Sequence, residues 1–162
     1  MTDRLKNYIN QTTSAAPLAV FRVAFGLLML VSTIRFAVNG WIKELYIDPQ
    51  FYFSYWGFEW VKPLPGAGMY IVFFVIGLCC LLIIAGLWYR VATVLFFLLF
   101  TYVELLDKTY YLNHYYFISV VAFILMWLPA HRYFSMDAWL NPSLLQKRLP
   151  RWTIDIIKLQ VG

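Results

Sequence analysis

Four apolar runs, each near the thickness of a bilayer's hydrocarbon core, constrain this chain more than any other feature. They extend from about Pro17 to Val38, Met69 to Trp88, Val91 to Leu106 and Tyr115 to Pro129. A helix needs roughly 20 apolar residues to cross a core of about 30 Å. The first two runs meet that length. The last two are shorter, which implies tilt, local thinning or ends buried in protein. Only Tyr89 and Arg90 separate the second run from the third, predicting an antiparallel hairpin. The expected fold is all-α: a polytopic transmembrane helical bundle of about four spans plus the start of a fifth, one domain over residues 1–162.

Composition supports that reading and excludes others. Hydrophobic residues make up 62% of the chain and charged residues 13%, against roughly 45–50% and 25% in soluble domains. Aromatics reach 20%, which suits interfacial belts. The net charge of +5 comes from basic residues scattered between apolar runs, so it reads as membrane topology and not as a nucleic-acid surface. Arg4, Lys6, Arg90, Arg132, Lys147, Arg148 and Arg151 fall on one side of the expected bundle, and Lys43, Lys62 and Lys108 on the other. The excess places the N-terminus in the cytoplasm, with the loops facing a bacterial periplasm or a eukaryotic lumen; a bacterial inner membrane, with lipid as the surrounding partner, is the expected location. The first run is too long for a signal-peptide core and reads as a retained span. Cys79 and Cys80 are neighbours in an apolar run and read as buried thiols.

The stretch from Asn39 to Gly68 carries Trp41, Tyr46, Phe51, Tyr52, Phe53, Tyr55, Trp56, Phe58 and Trp60. So aromatic a loop is expected to lie along the bilayer interface or to roof the bundle. Asp48-Pro49 and Pro63-Leu64-Pro65-Gly66 supply its turns. After Pro150, the residues Ile154, Ile157 and Val161 predict one apolar helix face, opposite Asp155 and Lys158.

The richest polar cluster joins the third and fourth runs: Glu104, Asp107, Lys108, Thr109, Asn113 and His114. Glu104 and Lys108 have the i, i+4 spacing and order of an ion pair. Asn113 is placed to cap the fourth helix and His114 to open it. A carboxylate beside a histidine at the mouth of a bundle is an acid/base pair in one reading. In the other it is a capped, salt-bridged turn at the membrane surface. Arg22 lies inside the first run, where a charge costs about 2.5–3 kcal/mol or more. It is either structural or the partner of a carboxylate or bound anion. Arg35, near the outer end, is expected to snorkel, and His131 reads as a surface histidine. His114 and His131 sit at opposite ends of one helix, so no metal site is expected between them.

Several strings resemble the HTTM family, which includes vitamin K-dependent gamma-carboxylase. Ala16-Pro17-Leu18-Ala19-Val20-Phe21-Arg22, followed by Phe25-Gly26, is similar to the family's first span. Asp107-Lys108-Thr109 followed by Asn113-His114-Tyr115 resembles its signature between the third and fourth spans. Pro129-Ala130-His131 with Phe134-Ser135-Met136-Asp137 resembles the motif closing the fourth, and Pro150-Arg151-Trp152 with Leu159-Gln160 the beginning of the fifth.

The resemblance implies a lyase that oxidises vitamin K hydroquinone, or menaquinol, with O₂ and carboxylates a glutamate in a secreted peptide or protein. It implies that His114 and Asp107 line a quinone-proximal pocket on the outer side, with Asn113 orienting His114. Tyr111 stands where the animal enzyme has Trp, and Tyr111, Arg22 and Lys108 are the implied cofactor contacts. The family's base lysine follows the Leu-Gln motif, so Lys108 does not take that role. A longer parent protein with further helices and a β-rich soluble domain is therefore expected. Two other readings remain: a non-catalytic membrane module for secreted-peptide maturation, and a subunit of DoxX-like membrane redox complexes.

Overall fold

The computed structural model describes residues 11–110 and 113–161. Four apolar helices dominate it: α1 (Ala16–Val38), α3 (Gly68–Ala85), α4 (Tyr89–Leu105) and α5 (Asn113–Trp127). A short helix α2 (Trp41–Tyr46) follows α1, α6 (Met136–Leu140) follows α5, and α7 (Trp152–Val161) ends the described chain. At 1.5 Å per residue α1 is about 34 Å long and α3 about 27 Å, and these two are long and apolar enough to cross a membrane.

Local sequence explains the helix ends. Pro17 sits in the first turn of α1, where its missing N–H is no loss. Pro129 follows α5 and stops it. The hairpin between α3 and α4 turns at Gly86-Leu87-Trp88, not at Tyr89 and Arg90, which are already helical. Gly86 takes φ +64°. The Leu87 N–H reaches the Leu82 carbonyl at 3.0 Å, closing the helix with a left-handed glycine cap. The αL backbone that Gly86 supplies moved the turn three residues earlier than hydropathy alone placed it.

The connections define two ends. At one end, here the base, lie the start of α1, the α3–α4 turn, the segment after α5 and a small antiparallel sheet of β1 (Thr12–Ser14) with β2 (Arg148–Pro150). At the other, the roof, lie α2, the aromatic loop and the 3₁₀ turn Lys108–Tyr110. The four helices thus run up, down, up and down. The sheet is a departure from an all-α expectation, since three-residue strands leave no readable alternation.

Each long helix buries one stripe. In α1 it is Leu18, Ala19, Arg22, Phe25, Gly26 and Met29; in α3 it is Met69, Val72, Phe73, Ile76, Cys79, Cys80 and Ile83. Gly26 lets the two helices touch: a Cβ there would lie 2.7 Å from Ile84 Cγ1 and 3.2 Å from the Cys80 carbonyl oxygen. Leu28, Val31 and Ile34 on α1, and Ile71, Phe74 and Leu81 on α3, face outward and stay exposed. Helices apolar on both faces suit a lipid solvent, because water would leave that outer surface unsatisfied. In α7 Thr153 and Ile157 are buried and Ile154 is half-buried, while the side chain of Val161 lies outside the described residues.

Candidate functional site

The roof is held by packing and backbone bonds. Ile42, Tyr46, Val61, Met69, Phe73 and Leu106 form a second core beneath it. Tyr102 Oη donates to the Lys62 carbonyl at 2.7 Å, and the Lys108 N–H donates to the Phe53 carbonyl at 2.9 Å. Trp56 and Trp60 remain 95% and 76% exposed, so the outer rim of the loop offers aromatic rings to its surroundings.

Beneath the roof lies a largely apolar cavity with about 640 Å³ of free space, its open mouth included. Phe36 and Phe73 stack in one wall at 5.0 Å and 9°, and Tyr46 lies 5.9 Å from Phe73. The polar groups at the cavity include Asp107, Glu104 and Tyr115. Asp107 is 8% exposed. Its Oδ1 accepts from the Thr109 N–H at 2.9 Å and from Thr109 Oγ1 at 2.7 Å. The Asp-Lys-Thr string is therefore a self-capped turn that fixes its carboxylate against the cavity.

Glu104 departs from the expected Glu104–Lys108 ion pair. The helix ends at Leu105, so the i, i+4 geometry does not continue to Lys108. Instead Glu104 Oε2 accepts from Ser119 Oγ on α5 at 2.5 Å. Its Oε1 is buried without a hydrogen-bond partner. Sequence reasoning gave Glu104 only a surface role. Its position one turn before Asp107 on α4 was the available signal.

His114 is exposed, and its ring packs edge-on against Tyr115 with centroids 4.5 Å apart. Tyr115 lines the cavity, so His114 stands just outside the wall. No hydrogen bond joins His114 to Asp107. Asn113 is the first residue of α5 and exposed, and Lys108 is exposed. Tyr111 lies outside the described residues.

Arg22 belongs to the opposite end. It is 0% exposed, and its guanidinium donates to the carbonyls of Ala130 (2.8 Å), Phe134 (2.6 Å) and Ile84 (3.4 Å). It clamps the segment after α5 onto α1 and α3, its charge bonded to backbone oxygens and not to a carboxylate. Asp137 completes this base: Oδ1 accepts from the Trp88 N–H at 2.9 Å and Oδ2 from the Tyr89 N–H at 3.1 Å, capping α4 from another element. His131 is not a surface histidine. It is half-buried and stacks on Tyr89 at 5.4 Å. Burial, then the charge of Arg90, holds its pKa below the ordinary value of 6.5. Arg35 lies over the Trp41 ring at 5.5 Å.

The residues of two sequence strings thus meet at one roof cavity: Asp107 from one side of the α4–α5 connection and Tyr115 from the other. The strings at Arg22, Ala130–His131 and Phe134–Asp137 meet at the base. No solved structure matches the chain. Residues 10–162 match the family model of the HTTM domain, the membrane domain of vitamin K-dependent carboxylase-type proteins. This chain belongs to the HTTM domain family.

Proposed function

We propose that this chain is a four-span membrane domain whose roof cavity binds the ring of a reduced quinone, vitamin K hydroquinone or menaquinol. The observation that carries this reading is the convergence of Asp107 and Tyr115 on one aromatic-walled cavity in a chain of this family. The donor set fits such a ring: stacked aromatics for its faces, and carboxylates at Asp107 and Glu104 to accept its hydroxyls. When bound, a reduced quinone supplies the reducing equivalents for reaction with O₂. Asp107, held by Thr109, would orient one hydroxyl, and Tyr46, Phe36 and Phe73 would keep water out. His114, steered by Asn113, would exchange protons between the cavity mouth and the outer solution. On the family resemblance, Tyr111 and Lys108 would be further contacts of the cofactor. Arg22, bonded to backbone at the base, has a structural part in this reading. The domain is oriented with its base in the cytoplasm of a bacterial inner membrane, since the base carries Arg90, Arg132, Lys147, Arg148 and Arg151. A secreted peptide or protein containing glutamate would then approach the roof.

Titration of the protein in nanodiscs with menadiol under argon tests this reading. Asp107→Ala should weaken binding by about tenfold or more, the value of one hydrogen bond to a charged group, whereas His114→Ala, outside the wall, should leave the affinity unchanged. Unchanged affinity in Asp107→Ala would remove the ring from this cavity.

A further inference from the structure

The roof cavity takes wall residues from α1 through α5, but the ring of helices around it is not closed. α1 packs on α3, α3 on α4 and α4 on α5; among the described residues α5 makes no comparable seam with α1. Low in the bundle α7 stands there, packed on both helices. It springs from the base sheet, as α1 does, and its ten residues rise at most about 15 Å. Ser32 is about 24 Å from the base end of α1. Above α7 the flank between α1 and α5 is therefore open.

Exposure locates the cavity's mouth on this flank. Of the described residues that line the cavity, Ser32 alone is exposed. Leu28 and Val31, beside it towards the base, are 71% and 63% exposed, so the surface around the mouth is apolar. Arg35, one turn nearer the roof and held over the Trp41 ring, marks the headgroup level. Ser32 lies beneath that level and about 9 Å short of the roof end of α1, inside a hydrocarbon core of about 30 Å. The cavity thus opens sideways into lipid and not upwards into water.

A ring seated between Asp107 and the Phe36–Phe73 stack leaves a chain attached to it one apolar way out. We propose that the gap between α1 and α5, with its mouth at Ser32, is the port through which the roof cavity takes its ligand from the membrane, and that the gap holds the ligand's isoprenoid chain. This inference rests on the reduced-quinone reading of the cavity and narrows it. The ligand is a chain-bearing quinol that arrives by lateral diffusion in the bilayer. The site does not measure chain length, because the gap is open-ended. A chain gains little by exchanging lipid for an apolar helix flank, since the two are alike as solvents. The chain is accommodated, and the ring supplies the selectivity.

Three ligands with one ring test the port: menadiol, which has no chain, a two-isoprene menaquinol and a nine-isoprene menaquinol. Binding is measured in nanodiscs under argon, with each ligand's concentration expressed per lipid. The wild-type protein should hold all three within about threefold. A closed cavity would exclude the longest chain, and a mouth facing water would penalise it. In Ser32→Phe the phenyl lies over the preceding turn of α1, in the gap. The affinity for the nine-isoprene menaquinol relative to menadiol should then fall by about tenfold or more. Leu78→Trp, in the outer groove between α1 and α3, should leave that ratio unchanged. In the wild-type protein, the two-isoprene menaquinol carrying a diazirine on its first isoprene should label Leu28, Val31 or Ser32, and excess menadiol should block the labelling. This measurement carries the test if Ser32→Phe does not fold. Menadiol-blocked labelling of Phe74 or Leu81 in the α1–α3 groove, or of Val120 or Phe123 between α4 and α5, overturns the proposal. So does wild-type binding of the nine-isoprene menaquinol weaker than that of menadiol by about tenfold, or an unchanged ratio in folded Ser32→Phe. Failure of the wild-type protein to bind menadiol overturns the ring assignment as well, whereas the other results strike the port alone.

Discussion

Replacing Arg22 by leucine should unfasten the base of the bundle. The guanidinium makes two short bonds, to Ala130 and Phe134, and a long one to Ile84. In Arg22→Leu, the Ala130 and Phe134 carbonyls lose a charged donor, and each unsatisfied buried acceptor costs about 1–3 kcal/mol. Leucine is freed from the desolvation that the guanidinium pays, and Nε, buried without a partner, is no longer stranded. The balance is a loss of about 3 kcal/mol. Arg22→Lys should recover only part of it, because one ammonium cannot match a planar fork that spans three carbonyls. Unfolding in mixed micelles by titrated SDS, followed by circular dichroism, measures the difference. A loss below about 1 kcal/mol for Arg22→Leu would refute the clamp. Unchanged stability with lost affinity for an anion would assign Arg22 to a ligand instead.

Three further outcomes follow from the same geometry. Gly86→Ala should cost about 2–4 kcal/mol, since φ is +64° and the new Cβ would lie 2.5 Å from Ser135 Cβ and 2.7 Å from Arg22 Nη1. Gly77→Ala is its control: the nearest atom is Thr33 Cγ2 at 3.9 Å, so the same SDS titration should show no loss and a gain of up to about 1 kcal/mol. His131 is held neutral by burial and Arg90, so the unfolded chain binds its proton more readily. Stability from this group is complete above the ordinary histidine pKa of 6.5 and is lost as pH falls from there through the lowered value of the folded state. Melting temperatures at pH 7.5 and 5.5 should therefore diverge more in the wild-type protein than in His131→Phe, which keeps the stack on Tyr89; equal divergence would rule out His131 as the source. Asp107→Ala removes the cap on the Lys108–Tyr110 turn and should cost about 0.5–2 kcal/mol by the same SDS titration, whatever its effect on binding.

Much of the architecture was legible because hydropathy and helix length report on the solvent a helix meets. The runs at Pro17–Val38 and Met69–Trp88 became α1 and α3 within a few residues, and of the two residues expected at a pocket Asp107 lies on the roof cavity while His114 lies outside its lining. The Gly86 turn was displaced because an αL cap is a backbone property that hydropathy does not register. His131 read as a surface residue because its neighbours in sequence are polar, whereas its stacking partner Tyr89 is 42 positions away.

The sequence by itself determined a helical, lipid-facing chain with a polar cluster at one connection, since apolar run length and charge placement are one-dimensional quantities. Only the tertiary structure decided which partner each polar group takes. Arg22 finds three backbone carbonyls because two turns and a helix end converge on it. Glu104 turns to Ser119 because α4 ends one residue later and α5 packs beside it. Buried hydrogen bonds are settled by what lies within about 3 Å in space, and spacing along the chain does not encode that across helices.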